Sequence, residues 1–270
     1  MNGDQAKWAE RVSRFGIFAK GIVYMTIGGL TAMAAFGLGG QVSDRKDAFN
    51  WIIDLPFGRI LLGIVAAGML AYVFWRFIQV IKDPENKGND FKGIMQRTGI
   101  AFSGLAYGAV AYYAAMLAIE GPGGSDSGDN GGSRQFFVAK LLQQPAGQYL
   151  VGAVAVLFVG LGIYQIYKSL SGKYKKKVNQ AGMSGDEKDF YLIAGRLGYI
   201  ARGIVLGIIG FLFYKAALNS NPSEADGTGG AFQFLQNSGY GPWLLGVVAV
   251  GLFLYGVFCL VQARYRTINI

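Results

Sequence analysis

The stretch Arg14-Phe15-Gly16-Ile17-Phe18-Ala19-Lys20-Gly21-Ile22-Val23-Tyr24 returns as Arg97-Thr98-Gly99-Ile100-Ala101-Phe102-Ser103-Gly104-Leu105-Ala106-Tyr107. It returns again as Arg196-Leu197-Gly198-Tyr199-Ile200-Ala201-Arg202-Gly203-Ile204-Val205-Leu206. The shared pattern is Arg-x-Gly, four residues, Gly, then Ile or Leu, Val or Ala, Tyr or Leu. A second block recurs in the same order downstream. Pro56-Phe57-Gly58-Arg59-Ile60-Leu61-Leu62-Gly63 corresponds to Pro145-Ala146-Gly147-Gln148-Tyr149-Leu150-Val151-Gly152 and to Gly239-Tyr240-Gly241-Pro242-Trp243-Leu244-Leu245-Gly246. Two blocks in one order, three times over, define three units: 14–82, 97–168 and 196–262. Fixed-period self-similarity marks a repeat architecture.

Each unit carries two stretches that are apolar for about 20 residues, the length that crosses a hydrocarbon core about 30 Å thick. The six run 17–36, 60–81, 99–119, 149–167, 199–218 and 243–262. They are apolar around most of their circumference, whereas a helix at a soluble surface keeps a polar face. Composition agrees: 52% of the 270 residues are hydrophobic and 15% are charged, against about 25% charged in a soluble domain. The expected class is an all-α polytopic membrane protein, its six helices arranged as three parallel two-helix repeats around a pseudo-threefold axis. The chain is expected to be a single membrane domain over 1–270. The first span reads as retained rather than as a signal peptide, since Asp4 and Glu10 lie among its leading bases and no small-residue cleavage site follows.

The net charge of +9 resolves once it is distributed over six spans. The side holding both termini has nineteen Lys and Arg against eight acids, a net of +11; the other has six against eight, a net of −2. The positive-inside rule then puts both termini in the cytoplasm, and a bacterial inner membrane is the expected location. Short apolar-rich stretches such as Phe49-Asn50-Trp51-Ile52-Ile53-Asp54-Leu55 are too short to span and read as interfacial helices in the outer loops.

The triplicated pattern resembles the bacterial membrane family catalogued as domain of unknown function 1206, from about Arg14 to Gln262. The Arg-x-Gly and Gly-Arg-x-Leu-Leu type blocks carry the resemblance, most fully in the first unit. Unit two departs at Ser103 and Gln148, unit three at Leu206 and Pro242. The resemblance implies an integral membrane protein of three tandem two-helix modules and no established activity.

Candidate functional residues follow from the repeat. Glycine numbers 42, and in lipid small residues let helix backbones approach. Gly21, Gly104, Gly108, Gly203 and Gly207 are therefore expected at helix–helix contacts. Arg14, Arg97 and Arg196 lie seven residues before Gly21, Gly104 and Gly203, so they share that azimuth. Near the membrane boundary each is expected to cap a neighbouring helix end or to meet an anionic headgroup; the functional alternative is a triplet ring on an anion path. Lys20 and Arg202, at equivalent positions with Ser103 between them in the series, are expected to snorkel to phosphates. Arg76 reads the same way. Lys173-Tyr174-Lys175-Lys176-Lys177 follows span four directly, where binding to anionic lipid is favoured over nucleic acid. Trp51, Trp75, Tyr149, Tyr167, Trp243 and Tyr265 fit interfacial belts.

The chain has no histidine and one cysteine, Cys259, which excludes Cys/His zinc sites, His-dependent triads and intrachain disulfides. The acids Asp126, Asp129, Glu224 and Asp226 lack an EF-hand spacing, and no acid lies in the middle of a span, which disfavours familiar proton-coupled transport. No catalytic residue, cofactor, metal or nucleic-acid partner is expected. The reading is a non-enzymatic scaffold or interaction protein whose partners are anionic headgroups and a further membrane protein. The alternative is a channel or transporter for an ion, small solute or lipid along the pseudo-threefold axis.

Overall fold

Helix covers every one of the apolar stretches, and in each repeat the first helix outruns its apolar part. The structure, a computed structural model, describes residues 3–39, 45–83, 88, 90–121, 130–177 and 183–265. The long helices are α1 (Gly3–Ala35), α3 (Gly58–Lys82), α4 (Phe91–Glu120), α6 (Gly147–Leu170), α7 (Gly185–Leu218) and α9 (Gly241–Tyr265). Between the members of each pair lies a short helix: α2 (Arg45–Ile53), α5 (Asn130–Leu142) and α8 (Thr228–Gln236). Six helices are long and apolar enough to cross a membrane, and no strand occurs among the described residues. The loop acids Asp126 and Asp129 lie outside the described residues.

First helices have 33, 30 and 34 residues; second helices have 25, 24 and 25. At about 1.5 Å per residue the first helices exceed the hydrocarbon thickness and project at the end bearing the termini. Local caps fix these projections. Asp90 accepts from the Gly93 amide at the start of α4. Ser184 and Glu187 form a reciprocal capping box at the start of α7, satisfying two amides that helix geometry leaves open.

Around the axis the long helices neighbour one another in the order α4, α3, α1, α9, α7, α6. Three seams join successive repeats: α3 on α4, α6 on α7, and α9 on α1. Glycine sets their closeness. Gly162 and Gly203 present backbone to backbone, with a Cβ on Gly203 falling 2.8 Å from the Gly162 carbonyl oxygen. Gly21 and Gly256 meet in the same way, a Cβ on Gly21 lying 3.0 Å from the Gly256 oxygen. The α3–α4 seam is looser: Gly104 faces the Arg76 side chain at 3.2 Å and Gly108 faces Val73 at 4.0 Å. Two further seams lie within repeats, α1 on α3 and α7 on α9. Among the described residues the matching seam of repeat two, α4 on α6, has no extended packing.

Each second helix starts at a glycine that the turn requires. A Cβ on Gly58, Gly147 or Gly241 would run into the carbonyl of Ile52, Leu141 or Gln236, respectively, at the end of the preceding short helix. The short helices α2 and α8 bury matching pairs, Ala48-Phe49 and Ala231-Phe232, completely. In α5 the residue at the same distance before the turn glycine, Val138, is likewise buried, while Phe136 is 71% exposed.

Candidate functional site

Four cations and five tyrosines meet where the six long helices surround their axis. Lys20 of α1 is only 7% exposed, and its Nζ donates to the Tyr255 hydroxyl of α9 at 2.8 Å. The same ammonium lies 5.1–5.8 Å from the ring centres of Tyr24, Tyr72, Tyr107 and Tyr255, within the range of cation–π attraction. Arg202 of α7 donates through Nη1 to that same Tyr255 hydroxyl at 2.6 Å and lies over the Tyr24 and Tyr255 rings. Arg76 of α3 donates to the Tyr72 hydroxyl and, at 3.2 Å, to Gln79 Oε1. Lys168 of α6 donates to the Tyr199 hydroxyl of α7 at 2.8 Å, its Nζ 4.3 Å from the ring centre, and is within electrostatic reach of Lys20, Arg76 and Arg202. Tyr107 is the contribution of α4, so all six long helices take part.

Charge balance sets this cluster apart. Lys20 and Arg202 reach one hydroxyl oxygen at 2.8 and 2.6 Å, which holds the two nitrogens within 5.4 Å of each other. Two unit charges about 5 Å apart repel by roughly 3 kcal/mol at an effective dielectric of about 20. Each tyrosine face returns about 0.5–1 kcal/mol, more where water is excluded. The rings therefore soften the repulsion but add no negative charge. Arginine stays protonated at any physiological pH, so Arg76 and Arg202 remain charged. No Asp or Glu occurs in any long helix except in its terminal parts. Arg76 Nε is buried with no hydrogen-bond partner. Buried charge without a counter-charge is costly, and the chemistry that answers it is an anion with several acceptor oxygens.

At the end bearing the termini, Tyr174 ties the lysine-rich turn 173–177 to α7. Its hydroxyl donates to the Leu192 carbonyl at 2.7 Å, and its ring packs on Tyr199 and Phe258. Burial pushes the Tyr174 phenol above its ordinary value, which keeps it a donor. The basic run is thus held against the helix that carries Arg202.

The family model described as Domain of Unknown Function (DUF1206) matches residues 15–83, 98–172 and 197–266, once for each repeat. The chain belongs to this family. A relative, "Uncharacterized protein YxxB" of Bacillus subtilis (strain 168), is 32% identical over 259 residues, covering 96% of this chain and 92% of the relative. No solved structure matches the chain at a significant level. The six long apolar helices make this DUF1206 member a multi-pass membrane protein, and the family assigns it no activity.

Within that family frame the residues singled out from sequence separate. Arg97 does cap a helix end: its Nε donates to the Val80 carbonyl of α3 at 2.9 Å, as does Nη2. Arg14 pairs with Glu10 at 2.6 Å, its side chain 39% exposed, and Arg196 is exposed. With Arg14 and Arg196 turned outward to this extent, the three arginines form no buried ring at the axis. Lys20 does not snorkel outward but turns to the axis, where Tyr255 offers an acceptor. Arg202 and Arg76 do likewise. Trp75 is no belt residue at 1% exposure, while Trp51, Tyr149 and Trp243 are exposed. Of the glycines, Gly21 and Gly203 sit at tight contacts, Gly104 and Gly108 at looser ones. A Cβ on Gly207 would meet nothing within 4 Å, although its backbone lies against Gly162.

Residues missed by the sequence reading are Tyr72, Tyr199 and Tyr255 and the part played by Lys168. The signal lay in aligning the second helices beyond their opening block. From Gly58, Gly147 and Gly241, the fourteenth residue onward is Tyr72, Leu161 and Tyr255, and the twenty-first is Gln79, Lys168 and Gln262.

Proposed function

We propose that this protein is a non-enzymatic membrane interaction protein that holds an anionic, phosphate-like group between its helices. The observation that carries the reading is the inward-turned set of buried Lys20 and half-buried Arg76, Lys168 and Arg202, bonded to tyrosines and free of carboxylates. Guanidinium groups offer several donors in fixed geometry, which suits phosphate oxygens, and tyrosine hydroxyls add acceptor and donor capacity without competing charge. Both termini are taken to face the cytoplasm of a bacterial inner membrane, supported by the excess of bases at that end.

Thermal unfolding of the purified protein in a neutral detergent tests this. Inorganic phosphate or dioleoyl phosphatidylglycerol should raise the midpoint of the wild type, and dioleoyl phosphatidylcholine should not. The double substitution Lys20→Met with Arg202→Met should abolish the rise. If neither anion moves the wild-type midpoint, the reading fails.

A further inference from the structure

Pairing inside repeats one and three follows one rule. Gly16 lies against the Tyr72 backbone, and Gly198 against that of Tyr255. One turn further on, Ala19 meets Gly68 and Ala201 meets Gly251. Small residues on both helices allow this approach. Repeat two places different residues at the same register: Phe102 where Ala19 and Ala201 stand, Leu157 for Gly68 and Gly251, and Leu161 for Tyr72 and Tyr255. Two small partners have become two large ones, and the α4–α6 seam is the one without extended packing. Nothing lies within 4 Å of where a Cβ on Gly99, the equivalent of Gly16 and Gly198, would stand.

Exposure follows from the open seam. Tyr72 and Trp75 are 4% and 1% exposed, and Tyr255 and Phe258 are 2% and 0% exposed. Their counterparts Leu161 and Tyr164 are 40% and 55% exposed, and Leu157 is 52% exposed. This uncovered face of α6 is apolar. Two turns further along the same helix is Lys168, and across the seam on α4 is Tyr107, 5.6 Å from Lys20 as a ring centre. An apolar wall thus leads to a buried cationic centre whose Arg76 Nε has no partner.

We infer that the α4–α6 seam is the lateral portal of the site and that its occupant is an anionic glycerophospholipid. An acyl chain lies along Leu157 and Leu161, and the phosphate reaches Lys168 and Arg76. A free anion would use the cations but leave the apolar wall uncovered; a neutral lipid would do the reverse. Only a molecule with both parts complements both surfaces. Lys168 lies near the end of α6 that faces the termini-bearing side, so the lipid belongs to that leaflet. The inference rests on the proposed anion site and adds the identity of the anion and its route.

Two measurements separate the portal from the site. Tryptophan placed by Leu161→Trp should be quenched more by brominated phosphatidylglycerol than by brominated phosphatidylcholine in mixed bilayers, after subtraction of the native tryptophans. Adding Lys168→Met and Arg76→Met should remove the difference. Equal quenching by the two lipids would overturn the portal. In the second measurement Phe102→Ala, Leu157→Gly and Leu161→Tyr together rebuild the seam of repeats one and three. This variant should lose phosphatidylglycerol binding by at least tenfold in native mass spectrometry while inorganic phosphate still raises its unfolding midpoint. Undiminished lipid binding there would overturn the portal and leave the anion site standing. Failure of both phosphate and phosphatidylglycerol to stabilise the wild type would remove the site itself.

Discussion

Tyr255 is the residue on which the centre of the protein turns. Its hydroxyl accepts from both Lys20 and Arg202, and its ring packs edge-on against Tyr24 and Tyr199. Tyr255→Phe keeps the ring and leaves two inward-turned cationic donors short of an acceptor. A hydrogen bond to a charged group contributes about 1.5–3 kcal/mol, so the midpoint in detergent should fall by several degrees, measured by scanning fluorimetry. Lys168→Met should act oppositely. It removes one of four like charges while keeping an apolar stem of similar length, so it should raise the midpoint of the lipid-free protein and blunt stabilisation by added phosphate. Gain in stability with loss of binding is the mark of a residue retained for function; a lower midpoint with binding intact would assign Lys168 to structure alone. At this scale the sequence showed Lys20 and Arg202 in register but not where they point. A lysine beside a boundary reads as snorkelling because periodicity gives azimuth, and the acceptor that turns it inward comes from a tyrosine 235 residues away.

Among the long helices, α6 is the least buried. Its buried residues Gly147, Val151, Ala155, Gly162 and Ser169 form a single stripe along the seam with α7, and its opposite side is uncovered. Attachment therefore depends on that one seam, where Gly162 meets Gly203 and Gly210 meets Ala155 and Val159. Gly162→Leu should release α6, lowering the midpoint by about 5 °C or more, on the scale of about 2–4 °C per kcal/mol for a chain near this size, and speeding proteolysis in the turn at 173–177. Gly207→Ala serves as the control and should leave both unchanged, since its Cβ would find open space. Helix positions were readable from hydropathy, and their apolar ends agree with the structure closely. The amphipathic starts of α1, α4 and α7 were not readable that way, because a hydropathy window registers only the lipid-length part. Their signals were local: Asp90 before Gly93, and Ser184 three residues before Glu187.

For the molecule as a whole, the threefold plan was legible and its breakage was not. The plan is written in recurring glycines and arginines; the breakage is written in substitutions, Phe102, Leu157 and Leu161, that gain meaning only once the partner faces are known. The side assignment has its own test. Cys259 is 1% exposed and should stay silent to a membrane-impermeant thiol reagent. Introduced thiols at Lys188→Cys and Ser223→Cys should then label from opposite faces of sealed inverted vesicles and intact cells, Lys188→Cys only in the former. Labelling of both from the same side would overturn the six-span arrangement.

Closure of α9 upon α1 also sets a schedule for synthesis. Synthesis runs from the N-terminus, so Lys20 enters the bilayer with the first span, whereas the hydroxyl that receives its proton donor belongs to the last. Throughout the intervening translation the ammonium sits in an unfinished assembly, and contacts so distant in sequence form late. A chain ending before Gly241 keeps five spans yet never acquires that acceptor or the glycine-lined face of α9. In a pulse–chase experiment such a chain should be degraded several times faster than the full-length protein, while a chain with Lys20→Met in addition should recover part of the lifetime. The last helix is in effect the quality checkpoint for the first.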